Sequence, residues 1–329
     1  KQIIPIQEIL KQISKITIVI DSNMNHAESV LKDIKQLTNA KSGNAQLFIC
    51  LKKPQSKQTL FKTKSSLKCD FEYKIRVGFM KEEDLVNDKF LQDALSRLET
   101  NYFQKRKHLE EIFDYEHYKN LTQTIKQKNI KNLESNTQAL IENLKKKNID
   151  VVYAQNATDA CNAILNILKK NNVKSVVKSK SLTTEEIHLN EFLKTNNIDA
   201  YETDLGEWLV QIANQPSTHM TAPAIHMSKE KIQNLLNEKF GENLSSDLDE
   251  LVQFSKNKIR EYFNYTHAGI FGSNVVTKDG LFFIVSNEGN VEHVLLKNIN
   301  ICVIGIDKIV ENIEEALTIV DFLPKSATA

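Results

Sequence analysis

Glycine is scarce in this chain, nine among 329 residues, and there are five prolines and one tryptophan. With few glycines, few loop positions are free to take positive φ. Cysteine is as sparse. Cys50, Cys69, Cys161 and Cys302 come no closer than 19 residues, so no CxxC or CxxH pattern exists. That leaves no local zinc or iron–sulfur signature, and the ordinary reading of all four is as small buried hydrophobes. No charge of either sign dominates: 43 Lys and Arg stand against 42 Asp and Glu, a net +1. A nucleic-acid or membrane-surface binder would need a clear basic excess. No apolar run approaches the roughly 20 residues of a membrane span. Lys1-Gln2-Ile3-Ile4-Pro5 is not a signal peptide, and with so few cysteines the expected compartment is a reducing cytoplasm. P-loop and GxGxxG patterns are missing, so no nucleotide cofactor is indicated.

What is present is globular: 41% hydrophobic and 26% charged residues, which excludes bulk disorder. The length suits two domains or one large one. Residues 1–79 read as a small α/β segment, with a strand at Ile16–Ile20, a helix at 25–36, an apolar run at Gln46–Leu51, a Lys-rich loop at 52–68 and a strand at 71–79. Residues 80–147 are mostly helical: Phe90, Leu91, Ala94, Leu95 and Leu98 recur at helical spacing, and a further amphipathic stretch runs over 133–144. From residue 148 strands and helices alternate. Strands are expected at 151–154, 173–177, 200–203, 281–286 and 300–306. Helices are expected at 157–170, 185–195, 207–213, 229–240, 246–263 and 310–322, with Ala222–Ile225 extended. Such alternation implies an open, mainly parallel sheet covered on both faces, with ligands at the carboxyl ends of its strands.

Polar residues gather after those strands. Lys178-Ser179-Lys180-Ser181-Leu182-Thr183-Thr184-Glu185-Glu186 offers two lysines and a helix start, a seat for an anion or simply a capped helix with solvated lysines. His188 and Asn190 fall within a turn of Glu185 and can share its face. Glu202-Thr203-Asp204-Leu205-Gly206-Glu207 places three carboxylates after a strand. They can split their pKa values for acid–base work, or merely cap the next helix. His219 and His226 flank Ala222-Pro223-Ala224-Ile225. In extended chain they face opposite ways, so a shared metal requires a turn at Pro223, and His219 is the better acid–base candidate. Gly272-Ser273-Asn274 and Asn287-Glu288-Gly289-Asn290 read as turns on the same edge, Gly272 permitting a tight one.

In order and spacing, Lys178–Asn190, Glu202–Glu207, His219 to His226, Asn287–Asn290 and Leu323-Pro324-Lys325-Ser326-Ala327-Thr328 resemble the lactate-utilisation protein B (LutB-type) family, which carries a LUD domain. Phe90–Arg97 and Asn132–Glu134 resemble its N-terminal helices. The resemblance covers about residues 87–329. It implies a fold of the isomerase and coenzyme A transferase type, with 148–329 as LUD core, 80–147 as a helical region and 1–79 as an extension. It also implies a part in oxidising L-lactate to pyruvate together with the other lactate-utilisation proteins. The electrons would pass through iron–sulfur (4Fe-4S) clusters that lie outside this segment or on a partner, since the family places two cluster motifs after Leu-Pro-Lys-Ser-Ala-Thr. In that reading Lys178, Lys180, Thr183, Thr184, His188, Asn274, Asn287, Glu288 and Asn290 contact a small carboxylate, and Glu185, Glu202 or His219 handles the proton. Where the family has Ala-Glu-(Ser/Thr)-Gly, this chain has Thr277-Lys278-Asp279-Gly280. The alternatives are a non-catalytic assembly module of the same complex, or an isomerase-like or acyl-transfer-like enzyme by fold analogy.

Overall fold

The computed structural model describes residues 17–21, 47–51, 86–286 and 290–328. The helix expected at 25–36, the loop at 52–68 and the strand at 71–79 lie outside them, as do Asn287 and Glu288. The strands are β1 (Thr17–Asp21), β2 (Leu47–Leu51), β3 (Asp150–Ala154), β4 (Ser175–Lys178), β5 (Asp199–Glu202), β6 (Ala268–Gly272), β7 (Val275–Thr277), β8 (Phe282–Ser286), β9 (Ile299–Gly305) and β10 (Ile309–Val310). The helices are α1 (Lys89–Ile112), α2 (Tyr115–Lys131), α3 (Leu133–Lys146), α4 (Ala157–Lys170), α5 (Leu182–Glu186), α6 (Leu189–Thr195), α7 (Leu205–Ile212), α8 (Lys229–Phe240), α9 (Leu248–Tyr265), α10 (Asn290–Leu295) and α11 (Ile313–Ala327).

Six parallel strands form the main sheet in the order β3-β2-β9-β6-β4-β5. A second, mixed sheet runs β1-β8-β7-β10, with β7 antiparallel to β8. This is the mainly parallel α/β architecture that the alternating pattern implies.

Strand periodicity divides the core into two layers. Val176, Ile270, Ile301 and Val303 pack with Ile164 and Leu168 of α4 and Leu189 and Leu193 of α6. Their neighbours Val177, Phe271, Cys302 and Ile304 pack on the other face with Leu140 and Leu144 of α3 and Val294 of α10. Successive side chains point to opposite faces, so a sheet covered on both sides needs continuous apolar runs such as Ile-Cys-Val-Ile in β9. Trp208 closes a further cluster between α7, α8 and α9.

Asparagine stands in for the missing glycine. Asn148, Asn172, Asn197 and Asn214 take left-handed conformations, φ 53° to 59°, just past α3, α4, α6 and α7. In each case the next residue donates back five positions: Ile149 N to Leu144 O at 3.1 Å, Val173 N to Leu168 O at 2.9 Å, Ile198 N to Leu193 O at 3.0 Å and Gln215 N to Val210 O at 2.9 Å. This is the Schellman closure, with asparagine, the non-glycine residue that best tolerates the conformation, at its left-handed position.

Three local expectations need correction. The helix expected at 185–195 is two helices, α5 and α6, because His188 takes φ 52° between them. Ala222–Ile225 is not extended: the chain turns at Pro223, where Thr218 N donates to Pro223 O at 3.1 Å. Gly272 is not needed for a positive φ, since among the described glycines only Gly241 and Gly280 have one. Its bare Cα instead lets β4 and β6 loops meet, for a Cβ there would stand 2.5 Å from Ser181 Oγ.

Candidate functional site

The order of the main sheet fixes where a ligand can enter. After β4 the chain crosses to β5 on one side, and after β6 it crosses to β9 on the other. The connections therefore diverge between β4 and β6, which is where open α/β sheets hold ligands at their carboxyl edge. Lys178 is the last residue of β4, Glu202 the last of β5 and Gly272 the last of β6. Parallel register sets Lys178 beside Glu202 and Ile270.

A buried ionic cluster occupies this edge. Lys178 is fully buried, and its ammonium meets Glu185 Oε1 at 2.8 Å, Glu202 Oε1 at 2.8 Å and Thr184 Oγ1 at 3.1 Å. An ammonium has three protons, so each has a partner. Thr184 Oγ1 in turn donates to Ser181 O at 2.8 Å, which fixes the first turn of α5. Asn190, at the start of α6, donates to Glu202 Oε1 at 2.6 Å. Burial opposes the charge on Lys178, but the carboxylates of Glu202 and Glu185 outweigh it and hold its pKa above the ordinary lysine value. Burial dominates at Glu202, where, with the nearby charge of Glu185, it raises the carboxyl in spite of Lys178 and Asn190.

A second pair lies alongside. Lys180 Nζ meets Glu207 Oε1 at 2.8 Å, and Ser217 Oγ donates to Glu207 Oε2 at 2.8 Å. Glu207 is buried, whereas the Lys180 side chain is 24% exposed. Glu185 is the exposed carboxylate of the first cluster, at 43%. The edge thus has a sealed interior (Lys178, Glu202) and an open rim (Lys180, Glu185).

The remaining residues singled out from the sequence fall in several places. Thr183 is buried in α5 and His188 is exposed at the α5–α6 break. Asn274 Oδ1 accepts from Val285 N at 2.8 Å, which ties the β6–β7 turn to the end of β8. Asn290 opens α10. His219 makes no contact with the ion pairs described above: its Nδ1 accepts from Thr221 N and Ala222 N, both at 3.2 Å, in a groove of about 520 Å³ lined by Gln92, Leu95, Glu99 and Tyr102 of α1. The turn at Pro223 does not bring the two histidines onto one ligand. His226 is buried, with Nδ1 2.9 Å from Thr218 Oγ1 and Nε2 2.8 Å from Gln215 Oε1. Sequence spacing did not single out Ser217 or Gln211. Gln211 Oε1 accepts from Glu202 N at 3.1 Å, nine residues ahead of it in sequence. No local spacing records that contact.

The two described thiols do not fit an iron–sulfur cluster. Cys161 and Cys302 are buried in opposite core layers, and burial pushes the Cys161 thiol up to about 11. Among the described residues no three His, Cys, Asp or Glu side chains group as metal ligands. No helix among them is long and apolar enough to cross a membrane.

Residues 137–329 match the family defined by the LUD domain. The chain belongs to the LUD domain family. It is similar to lactate utilization protein B of Bacillus cytotoxicus and of Bacillus cereus strain AH820, and to lactate utilization protein B 2 of Bacillus mycoides. Each is 34% identical over 247 residues, covering 74% of this chain and 52% of the relative. The chain spans about half the length of the curated relatives it matches. No solved structure matches it. All the strands of the site, β4, β5 and β6, lie inside the LUD-matched range.

Proposed function

We propose that this chain is the LUD part of a LutB-type lactate-utilisation protein. It acts in the cytoplasm with the other proteins of that system to oxidise L-lactate to pyruvate. The observation that carries the reading is the ionic cluster at the switch point, in a chain 34% identical to lactate utilization protein B. Oxidising a 2-hydroxy acid requires its carboxylate to be held, its hydroxyl proton to be taken and its Cα–H bond to break, that hydrogen leaving as a hydride, or as a second proton with two electrons, to an acceptor outside these residues. Lys180, partly exposed and matched by one carboxylate, has donors to spare for the substrate carboxylate. Glu185, on the rim and fixed by Lys178, takes the hydroxyl proton. Lys178 and Glu202 hold Glu185 in place from below. The 4Fe-4S clusters that carry the electrons belong to a part of the full protein, or a partner, outside these residues.

The test uses the intact lactate-oxidising assembly. Glu185→Gln should lower kcat by about 10²-fold or more, the usual worth of a positioned base, and Lys180→Ala should raise KM for lactate. Unchanged kinetics in both variants would remove the catalytic role. The assembly-module reading has one observation in its favour: α1 leaves Phe90, Phe103 and Ile112 exposed. Activity that survives both site variants but is lost with Phe103→Asp would select it.

A further inference from the structure

Two oxygens at the carboxyl edge are buried without a hydrogen-bond partner, Oε2 of Glu202 and Oδ1 of Asn190. They belong to side chains already in contact, since Asn190 Nδ2 donates to Glu202 Oε1 at 2.6 Å. Glu202 is 2% exposed. If its carboxyl is ionised, both orphan atoms are acceptors, and neither can satisfy the other. Leaving two acceptors without donors in a water-poor interior is costly.

One proton resolves both. On Oε2 it makes a donor, and the acceptor left over in the same pair is Asn190 Oδ1. We infer that Glu202 is a neutral carboxylic acid in the resting protein, closed with Asn190 into an acid–amide ring. In that ring Nδ2–H donates to Oε1, and Oε2–H donates to Oδ1. Charge counting agrees. The groups facing Glu202 are Lys178 from β4, Glu185 from α5, Asn190 from α6 and the Gln211 amide from α7. Lys178 is the sole cation among them, and it already meets the carboxylate of Glu185. An ionised Glu202 would leave the cluster one negative charge in excess. Burial also moves the carboxyl of Glu202 toward the protonated form.

This deepens the proposed function and rests on it only for the division of roles. Glu185 is then the carboxylate that takes the substrate proton, and Asn190 is a positioning residue that keeps Glu202 oriented. The protonation state itself requires no turnover, so its test is separate from that of lactate oxidation.

The experiment is carbon-13 NMR of the full chain carrying label at the glutamate side-chain carboxyls, followed between pH 5 and 9. One carboxyl should remain in the neutral form at pH 7. It should vanish in Glu202→Gln, and in Glu185→Gln, where the charge that opposes its ionisation is gone, it should lose its proton at lower pH. Glutamine has the donor and acceptor pattern of the neutral acid, so Glu202→Gln should leave the unfolding midpoint at pH 8 unchanged or raised. All carboxyls ionised at pH 7 would overturn the inference, and so would a neutral signal that survives Glu202→Gln. A lowered midpoint at pH 8 in Glu202→Gln, the outcome for a lost ion pair, would overturn it as well.

Discussion

The central strand β6 carries a glycine whose replacement should be costly for a reason visible in the packing. A Cβ on Gly269 would stand 2.5 Å from the carbonyl oxygen of Val294 and 2.8 Å from its Cγ1. Val294 is fully buried on α10, so the first obstacle is backbone, which cannot rotate aside. Where the backbone permits it, Gly→Ala stabilises by about 0.4–1 kcal/mol through the unfolded chain. Inserting volume into a packed core costs about 1–3 kcal/mol. With a carbonyl as the obstacle, the upper part of that range applies, and Gly269→Ala should destabilise by a net ~2 kcal/mol. Equilibrium urea unfolding measures it as a lower midpoint at unchanged slope. Val294→Ala removes Cγ1 but not the carbonyl, so it should not rescue the variant. Gly272→Ala, on the same strand, meets the side chain of Ser181, with Oγ at 2.5 Å and Cβ at 3.0 Å. It should cost less, and Ser181→Ala should recover part of the loss. If Gly269→Ala is as stable as the parent, or is fully rescued by Val294→Ala, the close approach of α10 to β6 is not what demands glycine there.

Three further outcomes follow from the contacts described above. Burial holds His226 below its ordinary 6.5, so the folded state binds this proton less readily than the unfolded chain. The stability it contributes is present above pH 6.5 and is lost as pH falls through the lowered folded value; His226→Gln should flatten that decline in a pH series of thermal midpoints. Asn172→Ala should destabilise by about 1 kcal/mol, the cost of a left-handed Cβ, whereas Asn172→Gly should not, by urea unfolding. Glu207→Gln frees Lys180 of its carboxylate and should tighten calorimetric binding of lactate or pyruvate several-fold; unchanged affinity in both Glu207→Gln and Lys180→Ala would place the anion elsewhere.

Much of the fold was legible because period and length reinforce each other. α4, α8 and the apolar runs of β8 and β9 stand where hydrophobic spacing puts them. β6 was not legible: Ala-Gly-Ile-Phe-Gly has only two large apolar residues, and its glycines reflect contacts with Val294 and Ser181 that no local pattern records. The break at His188 was hidden because every residue from Glu185 to Thr195 is compatible with one helix. For the site, spacing marked Lys178, Glu185, Glu202 and Glu207 as polar residues after strands. It could not tell that parallel register would place Lys178 against Glu202, 24 residues on, and so turn an open anion seat into a sealed polar cluster.

That sealing separates two tasks the sequence had merged. A lysine whose three protons are all taken, in a place water does not reach, is a poor receptor for an arriving anion, because binding would first have to break a buried pair. Such a lysine is well suited to fixing the position of a carboxylate at the rim. Lys180 has the opposite character: one partner, part of its side chain in water, and a neighbouring hydroxyl, Ser217, that already shares Glu207. In the proposed reading, substrate charge is met at the rim, while proton chemistry is anchored from beneath. Strand alternation alone would set Lys178 and Lys180, two residues apart, on one face; β4 ends at Lys178, and the two ammoniums meet different carboxylates, Glu185 and Glu202 for Lys178 and Glu207 for Lys180. On that reading a short sequence motif serves both the seat and its support.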